Sequence, residues 1–259
     1  MKIATFNING IKARAEVLAR WLDESAPDLA VLQEIKSTDE TFPRDLIESR
    51  GYHLETHGQK GFNGVAILSK TPLHDVRRGL PGDDSDEQAR WIEASVEGPV
   101  TLRVCGLYLP NGNPAPGPKY DYKLAWMERL LNHARELLAR EEPLVLAGDY
   151  NIIPQPLDAA RPDAWREDAL FRPESRAAFR RIEALGLYDA LRLRHPEPGL
   201  YSFWDYQAGA RARNDGIRID HLLLSPQAAD RLEDAWIETA PRDWEKPSDH
   251  TPVWIRLRA

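Results

Sequence analysis

The chain has 259 residues, of which 42% are hydrophobic and 29% are charged, so it can bury a sizeable core. A formal net charge of −7 argues against a uniformly nucleic-acid-binding surface, although only the local field at a binding face decides this. The single cysteine, Cys105, excludes an internal disulfide and favours a reducing, cytoplasmic setting.

The chain shows no targeting or linker pattern. Its first residues, MKIATFNING, contain one lysine and turn polar at once, unlike a signal peptide. No apolar run approaches the roughly 20 residues that cross a bilayer. The Pro/Gly-rich stretch 109–120 indicates a long loop between a strand and a helix. We therefore expect one domain over residues 1–259 and no membrane contact.

Short apolar runs rich in β-branched and aromatic residues predict strands. In chain order they are 2–8, 29–33, 65–68, 91–96, 101–109, 144–147, 217–224, 235–238 and 253–257. Apolar residues at helical spacing predict helices over 12–25, 121–140 and 174–185. Interleaved strands and helices, with too few helices for a barrel, predict an α/β fold of two packed mixed β-sheets flanked by helices, a four-layer α/β sandwich.

Strand after strand ends on a side chain that can bind a metal ion or transfer a proton. These residues are Asn7, Glu34, Tyr108, Asp149, Asn151, Asp220, Asp249 and His250. Loop-borne polar groups gathered at one edge of a layered α/β fold are how functional sites are built. Carboxylate and carboxamide oxygens suit Mg²⁺ or Mn²⁺, and such an ion with a carboxylate base and a histidine can hydrolyse a phosphodiester.

Each of these residues also has a simpler explanation. Asn7 could cap the following helix, Asp149 and Asn151 could form an Asx turn, and His250 could be structural. Asp220 is the hardest to explain simply, because a carboxylate inside an apolar strand is costly to bury unless it is paired. Basic residues cluster at Arg211, Arg213 and Arg218 and at Lys119 and Lys123, where a solvated charged face is the default interpretation.

The ordered motifs resemble the exonuclease III family of apurinic/apyrimidinic endonucleases, within the endonuclease/exonuclease/phosphatase, DNase I-like superfamily. The resemblance spans nearly the whole chain and rests on KIATFNINGIKAR, LAVLQEIK, FNGVAILSK, LYLPNGN, LAGDYNIIP, YSFWDYQAGA, GIRIDHLLLSP and SDHTPVW. It implies a Mg²⁺-dependent DNA repair nuclease that cuts duplex DNA 5′ to abasic sites and acts at 3′ ends, and we expect the protein to be a monomer. GDYN replaces the GDFN of many relatives, and Tyr150 is expected to point into the core.

The resemblance also implies roles at the matching positions. Glu34 with Asn7 would form the metal-binding corner, Asp149 would activate water, and Asn151 would stabilise the transition state. Tyr108 would lie against the phosphate, Asp220 would be the buried catalytic aspartate, and His250 would contact the scissile phosphate. Asp249 would orient His250. The full set of implied metal residues is Asn7, Glu34, Asp149, Asn151, Asp249 and His250.

For DNA contacts, Trp204 aligns with the aromatic region around the abasic site, and Arg90, Lys119 and Arg211 are expected to contact phosphates. Two other functions share the same motifs. A phosphatase of small phosphoesters or lipids would use Glu34, Asp149 and His250 equally well. A non-catalytic DNA-binding protein would bind without metal-dependent turnover, but it would have no use for carboxylates crowded at one edge.

Overall fold

The computed structural model describes residues 1–98 and 100–258. Within these residues the strands, in chain order, are β1 Lys2–Asn7, β2 Leu29–Gln33, β3 His53–His57, β4 Val65–Ser69, β5 Leu73–Arg78, β6 Trp91–Val96, β7 Leu102–Tyr108, β8 Leu144–Asp149, β9 Tyr188–Asp189, β10 Asp220–Leu224, β11 Leu232–Ile237 and β12 Val253–Leu257. The helices are α1 Ala15–Ser25, α2 Arg44–Glu48, α3 Pro118–Leu138, α4 Pro173–Glu183, α5 Ala190–Arg194 and α6 Pro226–Ala229.

The strands form two six-stranded sheets, ordered β11-β12-β1-β2-β4-β3 and β5-β6-β7-β8-β10-β9. Most neighbours are antiparallel, but β1 and β2 are parallel in the first sheet and β7 and β8 are parallel in the second. The sheets are therefore mixed, as expected. The carboxyl ends of the two parallel pairs provide Asn7, Tyr108 and Asp149, with Glu34 directly after β2.

Three large clusters of buried side chains lie between the four layers of the fold. Buried Val, Ile and Leu side chains from both sheets, such as Val31, Ile67 and Val145, meet between the sheets. Trp21 and Leu22 of α1 cover the outer face of the first sheet. Met127 of α3 and residues of α4 cover the outer face of the second sheet. The predicted four-layer α/β sandwich is confirmed.

The differences from the predicted elements have local causes. Strands β3 and β5 escaped detection because their sequences, HLETH and LHDVRR, are polar and partly exposed at or near a sheet edge. The predicted strand 217–224 begins only at Asp220, because Ile217 instead makes isolated bridges to Ala159 and Phe203. Helix α1 begins at Ala15 because Ile11 still hydrogen-bonds to the segment after β2. No helix in the described part of the chain is long and apolar enough to cross a membrane.

Gly148, which precedes Asp149 in β8, has no room for a side chain. A Cβ atom there would lie 2.0 Å from the Leu107 carbonyl oxygen on β7. We expect Gly148→Ala to lower the free energy of unfolding by about 1–3 kcal/mol, the range for overpacked interiors, in chemical denaturation. Gly98→Ala is the matched control, because its nearest atom would be 3.4 Å away. Equal stability of the two variants would contradict this close approach.

Candidate active site

The side chain of Asn7 joins the two sheets at the edge where the parallel strands end. Its Nδ2 atom donates to Glu34 Oε1 and to Asp149 Oδ2, both at 2.9 Å. Its carbonyl oxygen accepts from the Asn9 backbone N–H at 3.0 Å. Asn7 and Asp149 are almost fully buried. One amide thus holds two carboxylates from different sheets close together, so the structure brings Asn7, Glu34 and Asp149 to one place.

Glu34 is held in a strained backbone conformation. Its φ of 49° lies in the left-handed region that non-glycine residues rarely adopt, which is common where a side chain must be aimed at a site. Lys36 Nζ lies 2.9 Å from Glu34 Oε2. Burial alone would raise the pKa of Glu34, but the charge of Lys36 and the hydrogen bond from Asn7 bring it below its usual value. Glu34 is therefore an anion at neutral pH.

Asp149 and Asn151 do form the Asx turn that was the simpler explanation. The Asn151 backbone N–H donates to Asp149 Oδ1 at 2.8 Å, and Asn151 has a φ of 47°. The Asn151 amide donates to Leu109 O at 2.9 Å and accepts from Asn111 Nδ2 at 3.2 Å. The turn and the site are one structure, because the bonds of the turn fix both side chains. Tyr150 is fully buried, as expected.

The buried carboxylate of Asp220 orients His250. Asp220 Oδ2 accepts from His250 Nδ1 at 2.8 Å and from Ser202 Oγ at 2.6 Å. This confirms that a carboxylate in this strand must be paired. The prediction that Asp249 orients His250 is wrong, because Asp249 Oδ1 instead accepts from Asn9 Nδ2 at 3.0 Å. Adjacent residues point to different partners here, which the SDH motif alone does not reveal.

The charged side chains at this edge shift one another's pKa values. Burial raises the pKa of Asp149 to about 7, and the nearby charge of Asp220 adds to this effect. Burial alone would lower the pKa of His250, but the carboxylates of Asp220 and Asp149 outweigh it and raise this pKa. His250 Nε2 lies 3.7 Å from Asp149 Oδ2. His250 is therefore a cation at neutral pH, able to donate a hydrogen bond to an anionic oxygen.

Tyr108 closes one side of the site. Burial, together with the carboxylates of Glu34 and Asp149, raises the pKa of its phenol well above the usual value. Its hydroxyl therefore stays neutral and remains a donor. The guanidinium of Arg90 stacks on the ring with 4.9 Å between Cζ and the ring centroid, and it also donates to the Tyr108 carbonyl at 3.2 Å.

Glu34, Asp149 and His250 could hold a metal ion, since one ligand atom from each lies within 4.8 Å of the others. The two carboxylates suit a hard divalent cation, which would offset their mutual repulsion. A protonated His250 cannot be a ligand, so the oxygens of Glu34 and Asp149 are the better donors. Asn7 and Asn151 adjoin this group with their amides already engaged, and Asp249 lies outside it.

The aromatic residue beside the site is Phe203, not Trp204. Trp204 is 1% exposed and its Nε1 donates to Asn214 Oδ1 at 3.0 Å, so its ring cannot stack on a nucleotide. The prediction that Trp204 forms an aromatic wall is therefore wrong. Phe203 packs edge-on against the His250 ring at 5.0 Å and lines a cavity of about 360 Å³. The motif SFWDY contained both rings, and only packing distinguishes them.

The basic residues differ in whether their charge is exposed to a ligand. Lys119 is exposed at the start of α3. Arg211 is bound by Asp243 through two hydrogen bonds of 2.9 and 2.7 Å and stacks on Trp204, so its charge is largely used within the protein. Lys123 does not belong to a solvated face. It is fully buried, and its Nζ donates to Asn111 O at 3.0 Å and to Asn151 O at 2.6 Å.

Sequence reasoning missed several contributors besides Phe203. Asn9 and Lys36 fix the segment around Glu34, with Lys36 Nζ donating to Asn9 Oδ1 at 2.5 Å. Phe62 is 61% exposed in a glycine-rich loop. This loop borders the site, because the Lys36 backbone N–H donates to Asn63 O at 3.0 Å. An aromatic residue between Lys60 and Asn63 in a glycine-rich turn was the one available signal.

Comparison with known proteins agrees with this geometry. The endonuclease/exonuclease/phosphatase family matches residues 4–250. The chain is 38% identical to the exodeoxyribonuclease III of Haemophilus influenzae, with all of both chains covered. An AP endonuclease from Archaeoglobus fulgidus superimposes over all of both chains with a TM-score of 0.95 at 38% identity. A Neisseria 3′ phosphatase bound to a product DNA hairpin does so with a TM-score of 0.96 at 38% identity.

A four-layer α/β sandwich defines a class of phosphoester hydrolases when carboxylates and a charged histidine gather at the edge where the parallel strands of both sheets end. The chain belongs to the endonuclease/exonuclease/phosphatase family, in its exodeoxyribonuclease III group of DNA repair nucleases.

Replacing Asp220 tests which carboxylate raises the pKa of His250. In Asp220→Asn the pKa of His250 should fall by about 1–3 pH units, because the largest charge that stabilises the imidazolium is lost. NMR titration of the metal-free protein measures this. Asp249→Asn is the matched control and should lower the pKa less, since Asp249 contacts Asn9. A larger fall in Asp249→Asn would contradict the assignment.

Proposed function

We propose that the protein hydrolyses DNA phosphodiesters 5′ to abasic sites and also removes nucleotides or blocking groups from 3′ ends, with Mg²⁺ as its ion and Mn²⁺ as a substitute. The observation that carries this is the joining of Asp149, Asn7 and Glu34 across two sheets beside a charged His250. Similarity to exodeoxyribonuclease III, to an AP endonuclease and to a DNA-bound 3′ phosphatase supports the substrate class.

Glu34 and Asp149 would hold the ion, which would offset negative charge on the phosphoryl oxygens and on the leaving 3′-oxygen. Asp149, which is ionised when the ion is bound, takes the proton of the attacking water. His250, held by Asp220, donates to a non-bridging oxygen of the phosphate. The neutral hydroxyl of Tyr108 donates to the same group.

Asn151 and Asn7 position these groups. Asn151 is fixed by Leu109 and Asn111 and lies beside the phosphate, where its amide stabilises the transition state. Asn7 keeps Glu34 and Asp149 together. Asp249 fixes Asn9 and, through it, the segment that carries Lys36. In this proposal Asp249 shapes the metal corner without being a ligand.

The substrate surface has a ring-lined cavity on one side and an exposed loop on the other. Phe203 and Ile217 line the cavity of about 360 Å³ next to His250, where a sugar lacking its base would lie. Phe62 on the opposite loop is exposed to contact the duplex, and Arg90 and Lys119 would contact phosphates. Arg211 contributes less, because it stacks on Trp204 as well as binding Asp243 and only 26% of its side chain is exposed. We also expect the protein to act as a monomer in the cytoplasm.

Incision of an abasic duplex tests the proposal. Purified protein with Mg²⁺ should cut 5′ to the abasic site, and Asp149→Asn should lower kcat by about 10²–10⁴-fold because the general base is lost. Asp163→Asn is the matched control, since Asp163 is exposed and its carboxylate pairs with Arg166. An undamaged blunt duplex and a panel of small phosphoesters are assayed in parallel. Turnover of small phosphoesters without DNA cleavage would refute the proposal.

The affinity for Mg²⁺ should depend on pH. A metal ion requires ionised Asp149, whose pKa is raised to about 7, so its protonated fraction grows as the pH falls through 7. We expect the Mg²⁺ affinity to be about tenfold weaker at pH 6 than at pH 8, measured by calorimetry. In Asp149→Asn this dependence should flatten. Equal affinity of the wild-type protein at both pH values would contradict the raised pKa of Asp149.

A further inference from the structure

Two arginines from separate segments share one carboxylate beside the ring-lined cavity. Arg161 binds Asp215 through Nε at 3.0 Å and through Nη2, and Arg213 Nη2 lies 3.6 Å from the same carboxylate. Arg213 Nη1 also donates to the Ala208 carbonyl. Asp215 is 16% exposed, whereas Arg161 and Arg213 are 68% and 56% exposed. We call Arg161 and Arg213 the arginine pair; with Asp215 it carries one surplus positive charge.

The arginine pair lies between two cavities. The inner cavity of about 360 Å³ extends from Arg161, Arg213 and Asp215 to Phe203 and Ile217. The outer cavity of about 520 Å³ is lined by Ala160 together with the same three charged residues. A chain that leaves the reacting centre through the inner cavity therefore passes the arginine pair before it reaches the outer cavity.

The inner cavity itself is unsuited to a phosphate. Besides Phe203 and Ile217 it is lined by Asp168 and Asp205, whose carboxylates would repel an anion. Asp168 Oδ1 accepts from Asn113 Nδ2 at 3.0 Å, and Asp205 Oδ1 accepts from the Gln207 N–H at 2.8 Å. Both carboxylates can still accept from neutral hydroxyl groups. A neutral sugar suits this space, and a phosphate finds positive charge only at its far end.

The two guanidinium groups are each held on one side by hydrogen bonds within the protein. Arg161 presents one edge to Asp215, and among the described residues no other acceptor contacts it, so its Nη1 atom is free to donate. Ordered guanidinium groups lose less conformational entropy on binding and match the geometry of phosphate oxygens. A solvated surface ion pair would be the ordinary interpretation, but here the arginine pair lines two cavities, one of which also contains Phe203 beside His250.

We propose that the arginine pair binds the phosphate on the 3′ side of the nucleotide held in the inner cavity, and thereby favours cleavage within a strand over cleavage at its end. This rests on the proposed function, in which the scissile phosphate is 5′ to that nucleotide and lies at His250. An internal abasic nucleotide carries a second phosphate at its 3′ side. A 3′-terminal nucleotide ends in a hydroxyl and offers the pair no ligand.

The test is the double variant Arg161→Gln/Arg213→Gln, assayed on an abasic duplex and on an undamaged duplex with a recessed 3′ end. We expect KM for the abasic duplex to rise about tenfold or more with kcat little changed, as for loss of charge-assisted hydrogen bonds. KM for 3′-end removal should change less than about twofold. The salt slope of abasic-duplex binding should fall by about one.

Arg166→Gln/Arg181→Gln is the matched control, because it removes two exposed, ion-paired arginines that line neither cavity. It should leave both KM values unchanged. Thermal unfolding of both double variants detects any loss of folding. Equal changes on the two DNA substrates, or no change on either, would overturn the inference.

A neutral methylphosphonate placed at each position of the abasic strand identifies the phosphate. In the wild-type protein the linkage immediately 3′ to the abasic nucleotide should weaken binding, and in Arg161→Gln/Arg213→Gln the same linkage should have no further effect. Sensitivity of the variant equal to that of the wild type would overturn the assignment. Failure of the wild-type protein to cut any abasic duplex would instead refute the proposed function, so the two failures are distinguishable.

Discussion

The site depends on the hydrogen bonds by which the amide of Asn7 holds Glu34 and Asp149 at 2.9 Å each. The two carboxylates come from different sheets, and like charges repel strongly away from water. A neutral amide offers two N–H donors without adding charge. It therefore lets the carboxylates approach, and the parallel pairs β1–β2 and β7–β8 bring their ends to the same place.

A second layer of buried polar groups sets the charges of this edge. Asp220, fixed by Ser202, keeps His250 positively charged, and Asp220 also contributes to the raised pKa of Asp149. Lys123 lies beneath the turn and donates to the carbonyls of Asn111 and Asn151. Burial lowers the pKa of Lys123 to about 7. The turn is thus fixed both by the hydrogen bonds from Lys123 and by its own Asx hydrogen bond between Asn151 and Asp149.

In the proposed function, different parts of the fold carry out the reaction and select the substrate. The groups proposed to react lie at strand ends, where a packed strand restricts the side chain. The groups proposed to select the substrate lie in irregular segments: the loop of Phe62, the segment of Phe203, and the arginine pair with its two cavities. Such segments can change without disturbing the core, so selectivity can vary in a family that keeps one site.

The sequence by itself determined the four-layer sandwich and the family to which the chain belongs. Apolar strands rich in β-branched residues have few ways to pack, and the ordered motifs from Asn7 to His250 carry the family resemblance. It did not reveal the polar strands β3 and β5, which lack the alternation that marks a half-buried strand.

Only the tertiary structure decided which partner each polar group takes. It placed Asp220, not Asp249, on His250, it buried Trp204 and left Phe203 beside the site, and it turned Lys123 inward. It also brought Arg161 and Arg213, which are 52 positions apart in the chain, to one carboxylate. The physical reason is that hydrogen-bond partners and burial depend on distances between segments remote in sequence, whereas local patterns report only which residues can form a strand, a turn or a helix.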